Sequence, residues 1–113
     1  MIDNIYNSLI ELSSLELQRM LWLNENNNTG HISSYSELMC SLFDDFNFDD
    51  FVEIGAKNNG LSMSLIIELR ELRRLLINYN EKEMDELIIN DPNWQTIVEQ
   101  GKIVMKKWNN QRE

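Results

Sequence analysis

A single cysteine, Cys40, in 113 residues leaves no partner for an internal disulfide. One proline and four glycines are too few for an all-β chain, which needs turn residues every few positions, so a sandwich or barrel is disfavoured. Long helices joined by Asn- and Ser-rich turns are expected instead. The lone histidine, His31, is placed in a loop, and Cys40, among Leu38, Met39, Leu42 and Phe43, on the apolar face of a helix as a core side chain. Nucleophilic catalysis needs a nucleophile, a base within reach and a group to orient that base, and those ingredients are scarce, so no enzyme is expected. No GxGxxG or P-loop is present; Gly55 and Gly60, the closest pair of glycines, read as turn or cap residues, and no cofactor is expected. No apolar run approaches the ~20 residues needed to cross a bilayer, and the opening MIDNIYNSLIEL carries Asp3 and Glu11 without a basic leader. A cytoplasmic protein without membrane contact is the expectation.

Basic residues are also short. Lys and Arg number 10 against 19 Asp and Glu, a net charge of −9 that repels phosphate backbones and anionic headgroups and disfavours direct nucleic-acid binding. The same field attracts a strongly basic protein and speeds its encounter, although acidity also serves solubility alone. What is plentiful is apolar material. With 42% hydrophobic and 26% charged residues, the chain can bury about two thirds of its unfolded surface around one core, so residues 1–113 are expected to form a single domain.

Apolar spacings of three and four predict a first helix over Ile2 to Leu12. Ser13 and Glu16 have capping-box spacing and predict a second helix through Leu15, Leu17, Met20, Leu21 and Leu23, or a kinked continuation of the first. Asn24 to Gly30 reads as a loop. Ser34 and Glu37 open a third helix through Tyr35, Leu38, Met39, Leu42 and Phe43, ending near Asp44 or Asp45. A short helix between Phe48 and Ile54, stopped by Gly55, is followed by a polar turn from Ala56 to Gly60. Ser62 or Ser64 caps a long helix from about Met63 to Tyr79. Asn80 and Glu83 pair as a capping box before Met84, Leu87, Ile88 and Ile89, and Asp91-Pro92 opens a last helix carrying Trp94, Ile97, Val98, Ile103, Val104, Met105 and Trp108. The reading is an all-α bundle of about six helices, with Trp22, Trp94 and Trp108 in its core.

Asp45, Asn47 and Asp49 match the first, third and fifth positions of a calcium loop, but Asp50 stands where Gly should turn the chain and Ala56 where a bidentate Glu should close the sphere; no metal is expected. Glu81, Glu83, Asp85 and Glu86 are explained by a helix start. Between Met20 and Ala56 lie Glu25, Glu37, Asp44, Asp45, Asp49, Asp50 and Glu53, with no Lys or Arg. Bases gather elsewhere, as Arg70, Arg73 and Arg74 and as Lys102, Lys106, Lys107 and Arg112. Phe46, Phe48 and Phe51 interleave with the acids. Such alternation suits an apolar anchor ringed by charge, and it suits still better phenylalanines turned into the core beneath solvated carboxylates.

Trp22-Leu23-Asn24, the Asn-rich loop to Gly30, Ser33-Ser34-Tyr35-Ser36-Glu37-Leu38 and Leu42-Phe43-Asp44-Asp45 resemble small bacterial immunity proteins of contact-dependent growth inhibition and related polymorphic-toxin systems. Ile89-Asn90-Asp91-Pro92 adds weaker support. The resemblance implies a small cytosolic protein that binds one cognate toxin domain, commonly a nuclease, and blocks its active site or substrate path, with no catalytic residues to carry over. The matching Trp22, Gly30, Ser34 and Phe43 define the fold more than the toxin-selecting surface. Glu37, Asp44, Asp45, Asp49, Asp50 and Glu53 are the candidate partner-binding residues, facing a basic toxin surface. The competing expectations are a phage-type acidic inhibitor or nucleic-acid mimic acting on a host defence enzyme, and a helical regulator binding DNA through Arg70, Arg73 and Arg74.

Overall fold

The computed structural model describes residues 2–112, apart from the Arg112 side chain, so that member of the C-terminal basic cluster lies outside the described residues. Helix α1 spans Ile2–Leu12, α2 Leu15–Trp22 and α3 Tyr35–Cys40, the last running on into a π-helical turn, Ser41–Asp45. Helix α4 starts as Phe48–Asp50, widens into a second π-helical turn, Phe51–Gly55, and finishes as Ala56–Asn58. Then come α5, Met63–Asn78, α6, Asp85–Ile89, and α7, Pro92–Arg112. The protein is all-α, with no strand among the described residues and seven helical segments where about six were expected.

The two long helices α5 and α7 form the central pair, with α1 laid on α7, α2 on α6 and the π-helical turn of α4 on α5. Their apolar stripes meet: Leu65, Leu69 and Leu72 from α5, Trp94, Ile97 and Val104 from α7, and Ile5, Leu9 and Leu12 from α1 are almost wholly buried. The radius of gyration, 13.8 Å, matches the ~13 Å of a compact chain of this length, so these residues share one core. Trp22, Trp94 and Trp108 lie in it as expected. Tyr35, Tyr79 and Trp22 surround Trp94, with ring centroids 5.4–5.9 Å from it. Of the two buried polar side chains among the described residues, Gln18 and Asp91, Gln18 is sealed inside completely: it donates to the Glu11 and Leu12 carbonyls and accepts from Trp94 Nε1.

The helix ends correct several expectations. Ser14 rather than Ser13 caps α2, its Oγ accepting from the Leu17 N–H, while the Ser13 hydroxyl turns back to the Ile10 carbonyl. Adjacent serines leave the choice of cap to the break between α1 and α2, which sequence spacing does not register. Ser34 caps α3 and Ser62, not Ser64, caps α5. The Asn80–Glu83 capping box does not form: Met84 occupies the N-cap position of α6 without a side-chain bond. Asp91 caps α7 through the Asn93 N–H, with Pro92 at the first helical position.

Gly55 does not stop α4. Its φ of −62° is ordinary helix, and the chain continues to Asn58. The stop is Gly60, at φ +81°, where the Leu61 N–H bonds the Ala56 carbonyl and the Gly60 N–H the Lys57 carbonyl, the paired bonds of a Schellman ending. Cys40, expected in the core, is exposed. It lies on the flank of α3 away from buried Leu38 and Leu42, because an 11-residue helical run offers only a narrow apolar stripe.

Candidate protein-docking surface

The acid-only stretch is shaped by two widened turns and one left-handed residue. The Phe46 N–H bonds the Ser41 carbonyl five residues back at 2.8 Å, closing the first π-helical turn. Asn47 then takes φ 51°, ψ 59°, a conformation in which Asn is among the few tolerated side chains, and reverses the chain into α4. Its side-chain amide donates to Asp50 Oδ2 at 2.7 Å, while its carbonyl accepts the Phe51 N–H. The phenylalanines follow the inward alternative: Phe48 is fully buried and Phe51 is 5% exposed. Phe46 is only half-buried.

All seven carboxylates between Met20 and Ala56 are exposed. The six candidate residues nevertheless do not form one patch. Glu37 and Asp45, two turns apart along α3 and its π-helical continuation, flank a shallow depression of about 350 Å³ that also takes in Ser33, Cys40 and Glu11 of α1. Glu11 is fixed there, its Oε2 accepting from Trp22 Nε1 and from the Ser33 hydroxyl, both at 2.9 Å. Asp50 sits instead on the rim of a mainly apolar pocket formed by Phe46, Phe51, Ile54 and Gly55, with Asn47, Asn58 and Asn59 at its edge. Glu53 faces α5, where Arg73 binds its carboxylate at 2.6 Å and donates weakly to the Asp49 backbone carbonyl. Asp44 projects into water on the π-helical turn.

Arg73 is the feature that counting charge along the stretch misses: the segment holds no base, yet the fold supplies one from α5. Glu11 and Ile54 were missed as well. Ile54 carries a usable signal, since Asp50, Ile54 and Asn58 recur at a spacing of four on one helical face; Glu11 carries none, because its placement depends on how α1 meets α3.

Among the described residues four basic side chains are ion-paired, Arg73 among them. Arg74 is paired with Glu71, Lys102 with Glu99 and Lys107 with Glu68. The Glu68 carboxyl is held below its usual range by the Lys107 ammonium, with Gln100 assisting. Of the three arginines named for DNA contact, Arg73 and Arg74 thus already hold carboxylates, leaving Arg70. Among the described residues no group of three or more His, Cys, Asp or Glu is placed to hold a metal ion, and no helix is long and apolar enough to cross a membrane. In the former calcium-like triplet, the Asn47 amide is spent on Asp50. The strongest perturbations of acidity lie in the buried aromatic cluster: burial, with the Glu81 charge, pushes Tyr35 up to about 12, and burial with the Asp91 bond raises Tyr79. The Tyr79 hydroxyl in turn lowers the Asp91 carboxyl. These groups hold helices together, and Tyr79 also borders a surface depression of about 290 Å³ with Asn80, Lys82 and Asn93.

Comparison with family models, with curated proteins and with solved structures finds no match to this chain.

Proposed function

We propose that the protein is an inhibitor of the immunity type, which binds a cognate basic toxin domain, a nuclease by preference, and keeps nucleic acid from its active site or binding surface. The observation that supports this reading is the concentration of seven exposed carboxylates between Met20 and Ala56, of which only Glu53 is ion-paired. Unpaired surface charge of one sign contributes little to the stability of a fold, but it accelerates docking on a surface of opposite sign. The resemblance of residues 22–45 to immunity proteins points the same way. On this reading the protein works in the cytoplasm, performs no chemistry of its own and needs no cofactor.

The test begins with recovery of the tagged protein from the cell that makes it, through a moderate salt wash, and identification of what stays bound. A stoichiometric basic toxin fragment, whose toxicity is relieved by co-expression of this protein, is the expected result. A host defence enzyme in its place would assign the protein to the phage-type inhibitors. With the toxin in hand, Asp44→Lys, Asp45→Lys, Asp49→Lys and Asp50→Lys together should slow association by about 10- to 100-fold at low salt. Added salt should slow the wild-type encounter and no longer slow that of the variant. Unchanged association would refute the location of the surface.

A further inference from the structure

We propose that the pocket between Phe46 and α4 is a socket for one large apolar side chain of a partner segment that carries Lys or Arg on either side of it. The inference rests on the docking reading above and names what the partner inserts. The pocket measures about 240 Å³, below the ~300–1,000 Å³ of small-molecule sites, so it suits a single side chain better than a cofactor. Its floor is rigid. Phe51 is 5% exposed and stacks on Trp108 of α7, with centroids 5.9 Å apart and planes 9° from parallel. Its walls are open, since Phe46 is half-buried and Ile54 is 60% exposed. Aromatic and aliphatic walls on a fixed floor are what a desolvated interface anchor requires.

Gly55 adds an independent sign. A glycine inside a helix costs about 0.5–1 kcal/mol relative to alanine, and its φ of −62° makes no demand that alanine could not meet. A Cβ there would stand 3.2 Å from Phe51 Cδ1, so the missing side chain lets the ring lie against the backbone and leaves the pocket uncrowded.

Charge selects the flanking residues. Asp50 lies on the rim, and no Lys or Arg lines the pocket. Arg73 answers Glu53 on the other flank of α4, and Lys57 lies a turn beyond Ile54. The partner's cations therefore belong on the side of Asp50. A second copy of this chain, itself at −9, is the less favourable occupant.

The probes are capped pentapeptides, Gly-Arg-Trp-Arg-Gly with the controls Gly-Arg-Gly-Arg-Gly and Gly-Glu-Trp-Glu-Gly, titrated into the full chain while backbone amide resonances are followed. The Arg-Trp-Arg peptide should shift Phe46, Ile54, Gly55 and Asn58 and saturate at a concentration about tenfold lower than either control, the gain expected when an anchor and its charges act together. Ile54→Ala should weaken it about fivefold, the loss of part of one exposed apolar wall. Ile54→Lys should abolish it, and because Ile54 is exposed both variants should keep the wild-type spectrum. Equal affinity for the Trp and Gly peptides, shifts spread evenly over residues 37–53, or self-association that Ile54→Lys removes would each overturn the proposal. The two readings separate cleanly. A working socket in a protein that rescues no toxin leaves the socket and refutes the immunity role, whereas full rescue by Ile54→Lys together with no peptide binding does the reverse.

Discussion

Replacing Gln18 by alanine should remove about 4 kcal/mol of stability, the sum of two stranded polar groups and a small cavity. Gln18 is fully buried, and its amide joins three helices: Nε2 donates to the Leu12 carbonyl at 2.9 Å and the Glu11 carbonyl at 3.1 Å, and Oε1 accepts from Trp94 Nε1 at 2.8 Å. Truncation would leave the Leu12 carbonyl and the Trp94 indole N–H in the interior without partners, at about 1–3 kcal/mol each. The Glu11 carbonyl is nearer water and contributes less. Loss of the side-chain atoms adds about 1 kcal/mol of unfilled space. A domain of this length holds only about 5–15 kcal/mol in total, so the variant should fold but unfold at a much lower urea concentration. The assay is urea unfolding at pH 7 followed by far-ultraviolet circular dichroism. It should include Trp94→Phe and the double variant, because removing the indole donor leaves one fewer group for Gln18→Ala to strand. The two substitutions should therefore be less than additive by about 1 kcal/mol or more. A loss below about 1 kcal/mol for Gln18→Ala, or strict additivity, would refute the claim that this amide ties α1, α2 and α7 together.

Acid should weaken the fold through Asp91. Its folded carboxyl is depressed by the Tyr79 hydroxyl and the Asn93 N–H, so its contribution is present above the unfolded carboxylate pKa and is lost as pH falls through the lower folded value. Urea midpoints of the wild type and Asp91→Asn should converge on acidification, and a gap independent of pH would contradict this. At the alkaline end, Tyr35 is raised from 10.0 to about 12, so its contribution is complete below pH 10 and is lost as pH rises towards the folded value. Tyr35→Phe should flatten the alkaline fall in stability across that window; an identical fall in both proteins would place its origin elsewhere. Gly101→Ala should lower the melting temperature despite better helix propensity, because the new Cβ would stand 2.9 Å from Cδ2 of Leu12, which is fully buried and has little room to swing aside, and 3.2 Å from the Ser13 Cβ. A higher melting temperature would show that α1 yields to α7 at this crossing.

Elements with long, regular apolar stripes were legible in the sequence, and those set by contacts were not. Helix α1 and the α5 stripe of Leu65, Leu69, Leu72 and Leu76 follow from spacing alone, because each buries one face against a broad partner. The Asp91-Pro92 start of α7 follows from local chemistry that no tertiary contact overrides. The Asn80–Glu83 box fails because capping spacing is common among polar residues and specifies a helix start only where the chain turns there. Gly55 misleads for a related reason. A glycine signals a stop through its freedom at positive φ, but here its use is the absence of a Cβ beside Phe51, and that depends on packing.

The candidate surface shows the same division between order along the chain and order in space. Exposure of the acids was readable, since the phenylalanines between them had to go inward. Their grouping was not, because it depends on two π-helical turns, which shift the angular position of every following side chain by part of a turn. Asp50 and Ile54, four residues apart, share the pocket side of α4, while Glu53 turns towards Arg73, twenty residues further along the chain. The pairing has a consequence for docking. A carboxylate already answered by an arginine exerts a weaker distant field, so among the six candidate residues the attraction of a basic partner falls mainly on Glu37, Asp44, Asp45, Asp49 and Asp50. Of these, Asp50 lies on the side of α4 that holds Phe46 and Ile54, so electrostatic approach and apolar seating coincide there, whereas Glu37 and Asp45 flank the separate depression beside Glu11.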